Sequence, residues 1–255
     1  MPVILTEKRG DVGIITLNRP EVRNALNIEV RTAMRAALDA FDVDPDVLVV
    51  VLTGAGGTFC SGRDLKAAQA GEPMYPSRRA ALESFNRTTI AKPVIAAVEG
   101  WALAGGFELA LSCDLIVAGE GARFGIPEVA RNLVAIGGGL LRLPRRMPYH
   151  LAMELALIGE PWTAADLARW GVVNRVVPTG GALEVAVALA EKIATNGPSA
   201  VRATKEIIQA GFDSLPERHA FDAQDAAAAP ALSSPDGAEG IRAFNEKRKP
   251  VWTDR

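Results

Sequence analysis

Three observations predict an α/β fold. The runs Val47 to Leu52, Val94 to Val98 and Leu115 to Ala118 are almost uniformly aliphatic, which suits strands covered on both faces. Helical stretches lie between them, so strands and helices alternate as in βα units. With 255 residues, 49% of them hydrophobic and 23% charged, the chain can bury a full core as one large domain or one domain plus an appendage.

The elements follow in order. Val3 to Glu7 and Val12 to Leu17 read as strands around the turn Arg9-Gly10-Asp11, and Asn18-Arg19-Pro20 ends the second. Ile28 to Phe41 is an amphipathic helix, with Ile28, Met34, Leu38 and Phe41 near a 3.6-residue repeat. Asp44-Pro45-Asp46 closes that unit ahead of the first aliphatic strand. A short helix is expected over Asp64 to Gln69. Further helices are read at Ser77 to Ala91, Gly105 to Ser112, Tyr149 to Ile158 and Thr163 to Trp170, with a fourth buried strand at Val172 to Val177. Beyond it no strand is evident. Ala182 to Thr195, Pro198 to Gly211 and Asp236 to Lys247 are helical candidates, and Ala223 to Ala231 is an alanine-rich stretch.

Composition excludes several classes. A formal net charge of −2 gives no electrostatic argument for nucleic acid or an anionic membrane. The densest positive cluster, Glu246-Lys247-Arg248-Lys249-Pro250, is a small solvated patch. Cys60 and Cys113 are too few for a disulfide framework or a cysteine zinc site, so a reducing compartment is expected. Met1 to Gly10 carries charges where a signal peptide needs apolar residues, and no segment reaches the roughly 18 apolar residues of a membrane span. A cytoplasmic location follows as the expectation.

The glycine clusters are informative by what they lack. Gly54-Ala55-Gly56-Gly57-Thr58-Phe59 follows a strand, but Phe59 stands at the third glycine of a dinucleotide loop. Gly100 and Gly105 have P-loop spacing, yet Gly106-Phe107 replaces the required Lys and Ser/Thr. Gly105 has another use. At a helix N-terminus its N–H is unpaired, and glycine lets a carbonyl approach closely enough for that N–H to hold an enolate oxygen. The turn Ser61-Gly62-Arg63 is the candidate for a second donor.

Adding water across a double bond, or removing it, needs one group to take a proton and another to give one. Glu108 lies one helical turn after Gly105, on the same face, and Glu128 follows Phe124-Gly125-Ile126-Pro127. Asp114 and Glu120 are also near in sequence, and residue type alone does not separate these four acids. His150 and His219 sit beside no G-x-S-x-G elbow, so a hydrolase triad has no support, and two histidines make no zinc site. The tryptophans are scattered, with packing as their expected role.

Taken in order, several segments are similar to the enoyl-CoA hydratase/isomerase, or crotonase, family. They are Leu17-Asn18-Arg19-Pro20 with Asn24-Ala25-Leu26, Phe59-Cys60-Ser61-Gly62-Arg63-Asp64-Leu65, Lys92-Pro93-Val94-Ile95-Ala96-Ala97-Val98, and Gly105-Gly106-Phe107-Glu108-Leu109-Ala110. Cys113-Asp114, Phe124-Gly125-Ile126-Pro127-Glu128, Gly171-Val172-Val173-Asn174 and Phe244-Asn245-Glu246-Lys247-Arg248 complete the set.

The resemblance implies a crotonase-like spiral of ββα units over residues 1–195 and a C-terminal helical oligomerisation region over 196–255. It implies a homotrimer or a hexamer built as a dimer of trimers. It also implies an acyl-CoA thioester substrate whose carbonyl oxygen is held by the backbone N–H groups of Arg63 and Gly105. Arg23, Ala25, Ser61, Asp64 and Leu65 match positions along the coenzyme A path. Glu108 and Glu128 match the catalytic pair of the hydratases. No metal or separate cofactor is implied, coenzyme A being part of the substrate. The expected reaction is reversible hydration of a trans-2-enoyl-CoA to a 3-hydroxyacyl-CoA.

Other readings share parts of this pattern. Leu133 to Pro144 departs from the usual hydratase version, and Phe107, Gly138 to Pro144 and Arg169 to Asn174 look somewhat like the carnitinyl-CoA dehydratase branch. An enoyl-CoA isomerase needs only one acid. A non-catalytic acyl-CoA-binding protein needs neither. The stretch Ala70 to Pro76 is expected to border the acyl pocket.

Overall fold

Valine and isoleucine at successive positions can all be buried only if both faces of a sheet are covered, and the chain satisfies that demand with two sheets and a shell of helices. The computed structural model describes residues 1–212, 229–230, 233–236, 239, 243, 246 and 248–253. Strands β1 (Ile4–Arg9), β2 (Val12–Leu17), β3 (Val49–Gly54), β4 (Val94–Val98), β5 (Trp101–Leu103), β6 (Leu115–Gly119), β7 (Arg123–Gly125), β8 (Trp162–Thr163) and β9 (Arg175–Val177) are interspersed with helices. The helices are α1 (Ile28–Val43), α2 (Leu65–Gln69), α3 (Arg78–Leu82), α4 (Gly105–Ser112), α5 (Gly139–Arg146), α6 (Tyr149–Ile158), α7 (Ala164–Arg169), α8 (Ala182–Ala194) and α9 (Pro198–Phe212).

The larger sheet has the order β1-β2-β3-β4-β6-β9. Its first pair is antiparallel and the rest are parallel. Alternation along each strand divides the core. Val49, Val51, Ile95, Ala97 and Val117 pack with Ala182, Ala186 and Ala190 of α8. Val50, Leu52, Val94, Ala96 and Ala118 face the other way, into the cluster that holds Met34 and Leu38 of α1 and Phe107 of α4. Small residues on α8 let that helix lie close to the sheet. Glycine does the same on the other side, since a Cβ on Gly13 would meet the Phe41 ring at 2.8 Å.

The smaller sheet, ordered β5-β7-β8, positions the site. β5 and β7 run parallel, with Leu103 paired to Gly125, and Cys60 joins the edge of β5 through a parallel bridge to Ala102. Each turn of the chain thus adds one segment to each sheet: β3 then Cys60, β4 then β5, β6 then β7. Three parallel segments end side by side, and Arg63, Gly105 with Glu108, and Glu128 follow them. Sites in α/β folds form at such carboxyl ends of strands. One turn of the spiral accounts for the spacing of the two glutamates.

Several elements differ from expectation. The helix read from Ser77 to Ala91 is only α3, because Ser84 Oγ donates to the Ala81 carbonyl and Thr88 Oγ1 to the Glu83 and Ser84 carbonyls, bonds that compete with helix continuation. The strand read from Val172 shortens to β9, since the Val172 and Val173 N–H groups donate to the Leu167 carbonyl and finish α7. β5, β7, β8 and α5 are present without a matching sequence expectation. The stretch 223–231 lies largely outside the described residues, as does much of 236–247. Among the described residues no helix is long and apolar enough to cross a membrane.

Candidate active site

Gly62 and Gly105 bring two backbone segments together. Gly62 has φ +94°, and a Cβ there would stand 2.7 Å from Ala104 Cβ and 3.2 Å from Gly105 N, so only glycine allows the approach. Leu26 N–H donates to Gly62 O at 2.7 Å and Asp64 N–H to Leu26 O at 3.1 Å, which brackets Arg63 and leaves its N–H outside the ladder. Gly105 is the first residue of α4 and has no carbonyl within the helix to donate to. Ala104, at φ 52° and ψ −128°, makes the bend between β5 and α4. Its own N–H is tied to Gly125 O at 2.8 Å. A non-glycine residue held in this region costs of order 1–3 kcal/mol, and such strain recurs where backbone is aimed at a ligand.

Glu108 is 4% exposed. Its Oε1 accepts the Gly139 N–H at 3.0 Å, the first N–H of α5. A Cβ on Gly137 would stand 2.4 Å from Glu108 Oε2, so the glycine run 137–139 wraps the carboxylate. Asn86 secures that run by donating from Nδ2 to Gly137 O at 3.2 Å.

Glu128 starts from the 3-10 turn Pro127–Arg131. Its Oε2 is buried without a hydrogen-bond partner. Burial pushes its carboxyl up to about 7; its own N–H opposes the rise, the charge of Glu108 adds to it and Arg131 opposes it. The two carboxylates therefore sense each other. Asp114 and Glu120 separate from them: Asp114 accepts the Val94 N–H at 2.8 Å and pairs with Lys205 at 2.7 Å, while Glu120 is an exposed turn residue.

The expected coenzyme A residues fall along one strip. Ser61 N–H donates to Arg23 O at 3.0 Å, and Arg23 is exposed at φ 53°. Arg19 links Ala25 to Asp64 by donating to the Ala25 carbonyl at 2.7 Å and to Asp64 Oδ2 at 3.1 Å. Asp64 Oδ1 also accepts the Lys66 and Ala67 N–H groups at 3.1 Å and caps α2. Burial raises the Asp64 carboxyl, but those N–H groups and Arg19 outweigh it and hold it below the usual range. Asp64 thus shapes the Arg63 turn, and Leu65, 50% exposed, presents an apolar surface beside it. The Arg63 side chain is engaged by the Glu72 carbonyl at 3.1 Å.

Asn86 and Arg31 are site neighbours that carried no sequence signal of their own. A polar residue in a helix and an asparagine in a linker belong to no motif, and only the fold shows them buried, at 9% and 5% exposure. Cys60 is no nucleophile, since burial pushes its thiol up to about 12. Among the described residues no cluster of His, Cys, Asp and Glu could hold a metal ion.

Known proteins share this architecture. The chain is 45% identical to the enoyl-CoA hydratase EchA19 of Mycobacterium tuberculosis, over all of its length and 97% of that protein. It is 40% identical to the carnitinyl-CoA dehydratase of Salmonella typhimurium, with 97% of each chain covered. The crystal structure of enoyl-CoA hydratase EchA1 from Mycobacterium marinum superposes with a TM-score of 0.95 at 50% identity, covering 99% of both chains. The enoyl-CoA hydratase/isomerase family profile matches residues 7–255. With the crotonase spiral and this likeness over the full chain, the protein belongs to the enoyl-CoA hydratase/isomerase family.

Proposed function

We propose that this chain is a hydro-lyase that adds water reversibly to a trans-2-enoyl-CoA. The carrying observation is the pair Glu108 and Glu128: one carboxylate held as an acceptor by the Gly139 N–H, the other with a buried oxygen lacking a partner and a carboxyl raised to about 7. In this reading the pair acts beside the backbone N–H groups of Arg63 and Gly105.

The chemistry follows from those parts. The thioester carbonyl sits on the Arg63 and Gly105 N–H groups, and negative charge collects on its oxygen as water attacks Cβ. Donors that bind the developing enolate more strongly than the ground-state carbonyl lower the barrier, typically by about 3–4 kcal/mol each. Glu108 takes a proton from the attacking water, whose oxygen bonds to Cβ. Glu128 gives its proton to Cα as the enolate collapses. Proton transfer between the carboxyls and solvent then restores the starting state. Reversal dehydrates the 3-hydroxyacyl-CoA. Arg23, Ala25, Ser61, Asp64 and Leu65 line the coenzyme A path in this reading, and no cofactor beyond coenzyme A itself enters.

A homotrimer or hexamer in the cytoplasm completes the proposal. The exposed apolar side chains of Leu141, Leu157 and Ile158 supply surface for contacts between copies. Incubation with crotonyl-CoA tests the reaction. The expected result is loss of the conjugated enoyl-thioester absorbance with a product heavier by one water. Unchanged crotonyl-CoA, together with unchanged six-carbon enoyl-CoA substrates, would contradict it.

A further inference from the structure

We propose that the acyl group taken by this chain ends in a carboxylate, bound by the guanidinium of Arg31. The inference rests on the enoyl-CoA reading above and specifies its substrate class.

A cavity of about 270 Å³ opens between α1, α3 and the segment at Tyr75 and Pro76, and reaches Phe85 and Asn86. It adjoins Glu108: Asn86 donates to the carbonyl of Gly137, the residue packed on Glu108 Oε2. It also adjoins Gly105, one of the proposed oxyanion donors, because Arg31 Nη2 stands 3.8 Å from where a Cβ on Gly105 would lie. An acyl chain leaving the thioester therefore meets this space.

Arg31 is the unusual group in it. The side chain is 9% exposed. Its guanidinium donates to Tyr75 Oη at 3.3 Å and stacks over the Tyr75 ring at 5.0 Å. Among the described residues it has no carboxylate partner. The acids around it are committed elsewhere: Asp39 to Arg35, through Arg35 Nε at 3.0 Å, and Glu83 to Arg79 at 2.7 Å. Glu72 Oε1 accepts the Ile28 N–H at 2.8 Å, and Glu108 Oε1 is held by Gly139. Among the described residues the charges lining the cavity thus pair off and leave the Arg31 guanidinium.

A buried guanidinium without a counter-ion is costly, and its planar fork matches a carboxylate. A neutral alkyl chain would leave that charge uncompensated. A quaternary ammonium, as in crotonobetainyl-CoA, would be repelled by it. Tyr75 and Phe85 supply apolar wall for the methylenes between the double bond and the carboxylate. Two carboxylates serve hydration of a carnitinyl-type thioester as well as of an acidic one, so Arg31 separates the substrate classes where the proposed catalytic pair does not.

The test compares trans-2,3-dehydroadipyl-CoA with trans-hex-2-enoyl-CoA, which differ in a terminal carboxylate against a methyl group. The expected kcat/KM ratio favours the carboxylate at least tenfold, and Arg31→Gln and Arg31→Lys collapse it. Preference for the hexenoyl or crotonobetainyl thioester would overturn the proposal. So would an equal loss on both substrates in a folded Arg31 variant, because the guanidinium would then serve the thioester end. If the variants fail to fold, wild-type calorimetry with adipyl-CoA and hexanoyl-CoA decides, tenfold tighter adipyl-CoA supporting the proposal and equal binding refuting it. That arm needs no turnover, so failure of the hydratase reading and failure of this one remain distinguishable.

Discussion

Glu108 Oε1 accepts the Gly139 N–H at 3.0 Å, which ties a carboxylate on α4 to the first turn of a helix thirty-one residues later in the chain. The glycine run that follows Ile136 therefore encloses this carboxylate, which has little room to move.

Gly137→Ala tests that confinement. A Cβ would stand 2.4 Å from Glu108 Oε2 and 3.0 Å from Asn86 Nδ2. Either the carboxylate or the run must shift. Activity on crotonyl-CoA should fall on the order of 100-fold, the cost of a misplacement near 1 Å. Overpacking should remove about 1–3 kcal/mol of stability, read from urea melts alongside the kinetics.

The pH dependence of catalysis follows from the shared proton. In the proposed mechanism hydration needs Glu128 protonated and Glu108 ionised; dehydration needs the same single proton on the opposite member of the pair. Hydration of a neutral double bond consumes no net proton, so kcat/KM must vary with pH identically in both directions. The common profile should fall above about pH 7, where Glu128 loses its proton. Initial rates with crotonyl-CoA and 3-hydroxybutyryl-CoA over a pH series check this.

Stability should carry the same signature. Burial raises Glu128 from 4.5 to about 7, so the folded state binds more protons than the unfolded state between those values. Its contribution is present below pH 4.5 and is lost as pH rises through 7. Glu128→Gln removes that loss. Because the carboxyl is only partly buried, the gain at pH 8 is discounted to about 1 kcal/mol. Chemical melts of both proteins at pH 5 and pH 8 measure it, and equal differences at the two pH values would refute the assignment.

Asp64→Ala should act through the backbone. It removes the cap of α2 and the partner of Arg19, at a cost of about 1 kcal/mol. Loosening of the Arg63 turn should lower kcat more than it raises KM, whereas Asp64→Asn, which keeps a capping oxygen, should retain most activity.

Much of this architecture is legible in the sequence, for physical reasons. The aliphatic strands declare themselves because both faces are buried, and β2, β4, α4 and α6 begin and end where the pattern places them. The three-residue strands β5 and β7 are too short to show a period, yet they set the site. Glu108 and Glu128 could be named but not distinguished from Asp114 and Glu120 by residue type; partners within the fold make that separation. Asn86 and Arg31 had no signal, since their importance lies in burial beside residues far away in sequence. The glycines at 137–139 masked α5 for the same reason that they are needed, because absence of side chains lets them enclose Glu108.

The most direct test of the central claim follows crotonyl-CoA hydration by wild type, Glu108→Gln and Glu128→Gln through the conjugated thioester absorbance. Loss of one acid–base partner should lower kcat by about 10²–10⁴ in either variant while coenzyme A thioester binding persists. Full turnover by a folded variant lacking either carboxylate would contradict the two-carboxylate mechanism.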